Sequence, residues 1–112
     1  MEGLTVGRIV HYVLTQEDAD AINRRRKDAD DISLRLKAGT WPLGAQAHVG
    51  NHASAGDHVP AMIVAVWGPD GYVNLKCLLD GNDDYWATSI HFESGEPPIA
   101  PREHTWHWTE PA

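Results

Sequence analysis

The chain is poor in the residue types that mark several classes of protein. Its single cysteine, Cys77, excludes an internal disulfide and favours a reducing compartment, with the thiol acting as a small buried apolar group. No apolar run approaches the roughly 20 residues that span a bilayer. The first residues also lack the basic and long apolar segments of a signal peptide. These absences predict a globular protein that is neither exported nor anchored in a membrane.

Positive charge is also scarce. Nine lysines and arginines stand against 16 acidic residues, which gives a formal net charge of −7 at pH 7. A chain with this balance repels nucleic acid and anionic membranes at long range, so we expect neither duplex nucleic acid nor a membrane as a partner. With 112 residues, of which 42% are hydrophobic and 22% charged, the sequence predicts one folded domain.

The N-terminal part predicts a strand followed by a helix. Residues 6–14 are rich in β-branched and aromatic side chains and are apolar on both faces, which is typical of a central strand. Thr15 can cap a helix that carries two acids in its first turn, with Asp18 at the capping-box position. This helix is predicted to run to about Lys27. Residues 28–46 are expected to form a variable connector, either a second short helix or an extended arm.

Short strands and turn signals alternate from residue 47 onward. The Asp-Gly sequences at 70–71 and 80–81 favour tight hairpin turns between β-rich segments. Five short strands with one helix predict a mainly β fold, a small and partly open SH3-like β-barrel with the helix inserted after strand 1. The single domain 1–112 would consist of a first strand (1–14), the helix and connector (15–46), β hairpins (47–92) and an aromatic tail (93–112).

The C-terminal tail is unusually aromatic. Residues 101–112 contain two tryptophans and two histidines where most domains have a polar terminus. Ordering a terminus costs about 1–2 kcal/mol per residue, so a tail of this composition is expected to pack against something. Trp106 and Trp108 would share one face of a strand. They either close the barrel by pairing with its exposed edge or contact a partner.

The helix end and the exposed aromatic residues are the candidate ligand-binding features. Residues 24–26 are consecutive arginines, whose guanidinium groups pair with phosphate or carboxylate. The alternative is a solvated helix end with one arginine paired to Asp28, Asp30 or Asp31. Tryptophans offer faces on which a ring can stack, and the alternative for the tail is a structural role. The predicted ligand-binding residues are Arg24, Arg25, Arg26, Trp86, Trp106 and Trp108.

The seven histidines raise the questions of metal binding and catalysis. His104 and His107 are three residues apart, and another group lies at positions 48, 52 and 58. On a strand, however, residues three apart face opposite ways, and the chain has no cysteine pair, so we predict no metal site and no cofactor. Residues 80–84 lack the spacing of an EF-hand and are expected to form a turn. No nucleophile, base and orienting group can be assembled from spacing, so we predict that the protein is not an enzyme.

Several motifs occur in an order that resembles a group of small proteins encoded by tailed bacteriophages and prophages. They are GRIVHYVLT at 7–15, Asp18-Ala19 with INRRR at 22–26, Gly50-Asn51, LDGND at 79–83, Trp86 with Thr88-Ser89, and TWHW at 105–108. The resemblance implies a phage gene product that acts in the host bacterial cytoplasm or, alternatively, in a virion. It implies no catalytic residue.

These observations lead to three hypotheses of function. The first is a non-enzymatic phage-encoded binding module that sequesters a small anionic ring-containing ligand, such as a nucleotide signal of host defence, and that forms a homo-oligomer. The second is a virion structural or accessory protein that docks on a phage partner through its aromatic tail. The third is a small hydrolase that relies on histidine and aspartate, with His58 and His107 as the histidines whose substitution tests it.

Overall fold

The computed structural model describes residues 3–37, 50–68, 70–93 and 102–109, with the side chains of residues 28–37 outside this description. The elements are, in chain order, β1 (Ile9–Val13), α1 (Gln16–Lys37), β2 (His58–Trp67), β3 (Tyr72–Leu78), β4 (Asp84–Phe92) and β5 (Thr105–His107). The strands close into a barrel in the order β1-β2-β3-β4-β5. The predicted mainly β fold, an SH3-like barrel with a helix after the first strand, is confirmed. The predicted connector residues 38–46, the short strand at 47–49 and the prolines at 97–98 lie outside the described residues.

Helix α1 begins with a reciprocal cap. The backbone nitrogen of Asp18 donates to Thr15 Oγ1 at 2.9 Å, and the backbone nitrogen of Thr15 donates to Asp18 Oδ2 at 3.0 Å. The cap confirms the predicted start, but the predicted end near Lys27 is wrong, because the helix continues to Lys37. Residues 28–37 contain neither glycine nor proline and include alanine, leucine, arginine and lysine, so nothing in their sequence stops a helix. Within the described ranges, no helix has the length and apolar character needed to cross a membrane.

Two irregularities bend the central strands. The register of the β2–β3 ladder shifts between Ile63 and Ala65, and that of the β3–β4 ladder shifts between Val73 and Leu75. A β-bulge raises the local twist of a strand and allows a small sheet to curl. Both shifts occur at the level of Asn74, so the barrel is bent at one height across three neighbouring strands.

The side chain of Asn74 stabilises this bend. Its Oδ1 atom accepts hydrogen bonds from the backbone nitrogen of Ser89 at 2.8 Å and from Trp67 Nε1 at 3.0 Å. Ser89 has a φ angle of 56°, a left-handed conformation that is uncommon for a residue other than glycine. The buried asparagine therefore satisfies a backbone donor that the bulge removes from the ladder.

The C-terminal strand closes the barrel. Strand β5 pairs antiparallel with β1 at His11↔His107 and Tyr12↔Trp106, and it pairs parallel with the end of β4 at His91↔Thr105. The Trp106 side chain is fully buried, and its Nε1 atom donates to the carbonyl oxygen of Gly71 at 2.7 Å. Of the two predicted roles for the tail, closure of its own barrel is the one that the structure shows. The buried core consists of Val10, Tyr12, Leu14, Ala19, Ile22, Ala53, Ala61, Ile63, Val73, Leu75, Cys77, Ala87, Ile90 and Trp106.

A polar clamp fixes the entry to β5. The backbone nitrogen, Nε and Nη2 of Arg102 donate to the Glu93 carboxylate at 2.9, 2.8 and 3.1 Å. Glu93 is buried, and its carboxylate raises the pKa of Arg102 further above its usual value. Thr105 Oγ1 donates to the Arg102 carbonyl oxygen at 2.6 Å, and the backbone nitrogen of His104 donates to Val13 O at 2.9 Å. The chain therefore enters the last strand through fixed contacts on both sides.

Replacement of Trp106 by alanine should destabilise the whole barrel. The substitution leaves a large cavity in the core and deprives the Gly71 carbonyl of its donor, so we expect a loss of about 3–5 kcal/mol in the free energy of unfolding, measured by urea denaturation. Trp86→Ala is the matched control, because Trp86 is 63% exposed. Its cost should stay below about 1 kcal/mol. Equal losses for the two variants would contradict the role of Trp106 in closing the barrel.

Candidate functional site

Strand β5 is too short to pair with the whole length of β4. Strand β5 has 3 residues and reaches only His91 and Phe92 of β4. Among the described residues, positions 84–87 and 90 of β4 pair with β3 alone. The start of α1 stands beside this stretch and leaves a cavity of about 570 Å³, called here the polar cavity. It is lined by Tyr12, Thr15, Gln16, Glu17, Asp18, Tyr85, Trp86, Ala87, Thr88 and His104.

Asp18 is the centre of the hydrogen-bond network at the base of this cavity. The residue is only 7% exposed. Tyr12 Oη donates to its Oδ2 atom, and Tyr85 Oη donates to its Oδ1 atom at 2.9 Å. With the backbone nitrogen of Thr15 as a third donor, the carboxylate is well supplied with hydrogen bonds. Asp18 thus ties β1, α1 and β4 together.

His104 extends this network to the surface. Its Nδ1 atom lies 3.3 Å from Tyr12 Oη, and its φ angle is 63°. Because the Tyr12 hydroxyl proton is directed at Asp18, the tyrosine oxygen can accept a hydrogen bond from the Nδ1–H of His104.

The two tyrosines act as hydrogen-bond donors and not as bases. Burial, followed by the hydrogen bond to Asp18, raises the pKa of Tyr12 far above its usual value. The same two causes raise the pKa of Tyr85 to about 12. The thiol of Cys77 is buried as predicted, and burial raises its pKa to about 12, which makes it inert as a nucleophile. None of these three groups supplies an activated nucleophile.

Trp86 stands between the polar cavity and a second, apolar depression. Its side chain is 63% exposed at the rim. On the far side lies a groove of about 380 Å³, called here the apolar groove. Its other lining residues project from the outer face of β2 and β3, namely Met62, Val64, Lys76 and Leu78. A single exposed indole therefore borders both depressions.

Two of the three predicted arginines have structural partners. Arg25 Nη2 donates to Asp83 Oδ2 at 3.0 Å and to the Asp84 carbonyl oxygen at 2.9 Å. Arg26 Nη2 donates to Asp83 Oδ1 at 3.2 Å, and the Asp83 side chain is 0% exposed. These pairs attach the helix to the turn between β3 and β4. Arg24 is exposed, and the guanidinium of Arg25 lies 5.9 Å from the ring centre of Tyr85 at the edge of the polar cavity.

The two tail tryptophans do not share a site with Trp86. Trp106 is enclosed in the core. Trp108 packs edge-on against Trp106 with ring centres 5.0 Å apart, and the guanidinium carbon of Arg8 lies 5.0 Å from its ring centre. Of the six predicted ligand-binding residues, Trp86 is the one that lines the cavity. Tyr12, Asp18 and His104, which also line the cavity, are not among the six.

Three of the histidines, His11, His58 and His107, form a group separate from the polar cavity. The ring of His107 lies 5.0 Å from that of His58 and 5.6 Å from that of His11, centre to centre. In the described part of the chain, no three histidine, cysteine or acidic side chains are placed to hold a metal ion. His52 is exposed, and His48 lies outside the described residues.

Comparison with known proteins gives no relative: no protein-family model, no curated protein and no solved structure matches the chain. Function is therefore inferred from the geometry of the described residues.

The arginine assignments can be tested by stability. Arg26→Ala should lower the free energy of unfolding by about 2 kcal/mol, less than the roughly 3–5 kcal/mol for a fully broken buried pair, because Arg25 still contacts Asp83. Arg24→Ala, which removes an exposed arginine of the same helix, should change stability by less than about 0.5 kcal/mol. Denaturant titration of both variants measures this difference. A larger loss from Arg24→Ala would contradict the assignment.

The tyrosine network predicts a loss of stability in alkaline solution. A folded-state pKa above the unfolded value means that the native protein keeps protons that the unfolded chain releases, so stability falls as the pH rises from about 10 through about 12. Tyr85→Phe should flatten this fall in a series of denaturation curves between pH 9 and about 12. Trp86→Phe, which changes an exposed ring of the same strand and removes no ionisable group, is the control and should leave the slope unchanged. An equal effect of both variants would count against the network.

Proposed function

We propose that this protein is a non-enzymatic binding module that recognises a partner protein through a surface centred on Trp86. The observation that carries the proposal is the exposed indole between two depressions of different character. Tryptophan is enriched among the residues that dominate binding energy at interfaces, and contiguous exposed apolar patches mark interaction sites. Met62, Val64 and Leu78 are 39%, 40% and 46% exposed and extend the apolar surface beside Trp86.

The chemistry of the polar cavity supports binding over catalysis. The Asp18 carboxylate already accepts three hydrogen bonds, and the hydroxyls of Tyr12 and Tyr85 are its donors. General acid–base or nucleophilic catalysis needs a group whose proton can move near neutral pH and a nucleophile within its reach. His104 is the remaining titratable ring at the cavity, and no described contact joins it to a hydroxyl or thiol nucleophile other than Tyr12. The network therefore serves as a rigid wall.

The charge of the surface favours a partner protein over a small anion. The residues that line the polar cavity include Glu17 and Asp18, and none of them is a lysine or arginine. Arg25 and Arg26, which were expected to bind an anion, are paired with Asp83. Both depressions are also open to solvent, which suits a bound segment of another chain better than complete burial of a small molecule.

A ring-containing small ligand is the second candidate. The polar cavity, at about 570 Å³, falls within the size range of small-molecule sites. In that case the ring would stack on Trp86, and a polar edge would meet Thr88 and Glu17. A nucleotide signal of host defence belongs to this candidate, in keeping with the resemblance to phage proteins.

The same resemblance gives the proposal its setting. A phage-encoded module would meet its partner in the host bacterial cytoplasm or in a virion, and in a virion the partner would be a phage structural protein. Because Trp106 is committed to the core, docking would use Trp86 on the barrel wall and not the aromatic tail.

Substitution of Trp86 should abolish recognition without unfolding the barrel. We expect linear peptides selected on the wild-type protein from a displayed random library to bind Trp86→Ala at least about 30-fold more weakly, as befits a residue worth 2 kcal/mol or more. Trp67→Ala is the matched control, because Trp67 is a second exposed tryptophan. It is 57% exposed and lies at the C-terminal end of β2. Binding is measured by calorimetry, and circular dichroism checks the fold of both variants.

Two results separate the candidates. A library that yields no peptide whose binding depends on Trp86 would contradict the partner-protein proposal. A thermal shift with one member of a nucleotide panel, lost in Trp86→Ala and kept in Trp67→Ala, would favour the small-ligand candidate instead.

A further inference from the structure

We infer that the partner is bound as an extended segment that adds a strand to the edge of β4 between residues 84 and 88 that no described strand covers, an inference that rests on the proposed function. This edge follows from the register of the strands. Strand β5 pairs with His91 and Phe92, whereas the stretch from Asp84 to Ala87 pairs with β3 on one side and with no described strand on the other. Alternate backbone groups of an antiparallel strand point away from its neighbour, so residues 85–88, which line the polar cavity, can present donors and acceptors to it. The Asp84 carbonyl oxygen, at the start of this stretch, already accepts from Arg25 Nη2.

The local structure keeps β5 from extending over this edge. The backbone nitrogen of His104 donates to Val13 O, which holds the chain before β5 against β1 instead of β4. The left-handed φ angle of His104, 63°, is consistent with a sharp change of direction there. At the other end, the bulge at Ser89 interrupts the regular ladder. The available edge is therefore about five residues long, close to the length of a common β-strand.

The cavity has room for an added strand. Its floor includes Ala87, whose small side chain is 5% exposed, and its opposite wall is the first turn of α1 with Thr15 and Glu17. Side chains of a strand alternate between two faces. On one face, those of the bound segment would lie beside Trp86 and Thr88. On the other they would point towards Tyr12, Tyr85 and His104.

The charge of the protein surface indicates which side chains the bound segment carries. Glu17 is exposed at the wall of the cavity, whereas the Asp84 carboxylate at the start of the edge already has Lys76 Nζ at 3.7 Å. The chain as a whole carries a net charge of −7. A basic segment is attracted at long range and can pair with the Glu17 carboxylate, whereas an acidic one is repelled. The occupant is therefore an extended segment of a partner protein in which an aromatic or aliphatic residue, for Trp86, alternates with lysine or arginine.

This mode of binding is tested with the selected peptides themselves. A Trp86-dependent peptide is synthesised with a methyl group on one backbone nitrogen at a time, which removes a donor and leaves the side chains in place. Strand addition predicts that affinity falls at least about 10-fold at every second position and by less than about 3-fold at the positions between. Hydrogen exchange of the wild-type protein with bound peptide should show slower exchange of amides within residues 84–88.

Reversing the charge of single residues of the protein tests whether the bound segment is basic. Glu17→Lys should weaken the basic peptide at least about 5-fold at low salt, and the difference should shrink at high salt. Asp70→Lys is the matched control, because Asp70 is an exposed acid of the same charge in the loop between β2 and β3. Equal effects of the two reversals would show that only net charge matters, which overturns the assigned occupant.

The outcomes distinguish this inference from the proposed function. A peptide that needs Trp86 but binds equally well with any backbone nitrogen methylated, or that binds as a helix in the apolar groove, overturns strand addition and leaves the binding module standing. A wild-type protein that dimerises in light scattering while Trp86→Ala stays monomeric would make a second copy of the chain the occupant and overturn the partner segment. A library without Trp86-dependent peptides overturns both.

Discussion

The structure depends on the burial of one indole ring. Trp106 fills the barrel, donates its ring N–H to the Gly71 carbonyl, and packs against Phe92 with ring centres 4.8 Å apart. This side chain brings a three-residue strand from the far end of the sequence between the first and fourth strands. Because a strand of three residues makes few backbone hydrogen bonds, most of the free energy that holds it in place comes from the buried ring and from the clamp between Arg102 and Glu93. The barrel therefore closes only when the C-terminal tail is ordered.

The same short strand gives the molecule its candidate site. A longer β5 would cover the whole of β4, whereas three residues leave residues 84–87 and 90 with one neighbouring strand among those described. Asp18 partly replaces the contacts that a longer β5 would make, because its carboxylate joins Tyr12 of β1 to Tyr85 of β4 through the start of the helix. What remains is a rigid polar cavity with Trp86 at its rim. Rigidity favours binding, since little conformational entropy is lost when a partner docks on ordered groups.

Much of the fold could be predicted from local patterns, and most of the site could not. Alternating apolar residues and Asp-Gly turns are local signals, as is the Thr15 cap, and each is realised in the structure. The predicted end of the helix near Lys27 is wrong, because the acidic segment that follows contains no glycine or proline to stop the helix before Lys37. Arg25 and Arg26 pair with Asp83, far along the chain, and no spacing rule links residues so distant in sequence. Tyr12 carried a usable signal, since a hydroxyl on the inner face of a buried strand requires a partner.

Hydrogen exchange of the tryptophan ring N–H groups tests the closure of the barrel most directly. If Trp106 holds the C-terminal strand in place, its ring N–H exchanges only when the whole domain unfolds, with a free energy equal to that of global unfolding. The ring N–H of exposed Trp86 serves as an internal reference and should exchange at nearly the rate of a short peptide. Exchange of the Trp106 N–H at a rate close to that of Trp86, in a protein that is otherwise folded, would contradict the account, because the last strand would then detach from an intact barrel.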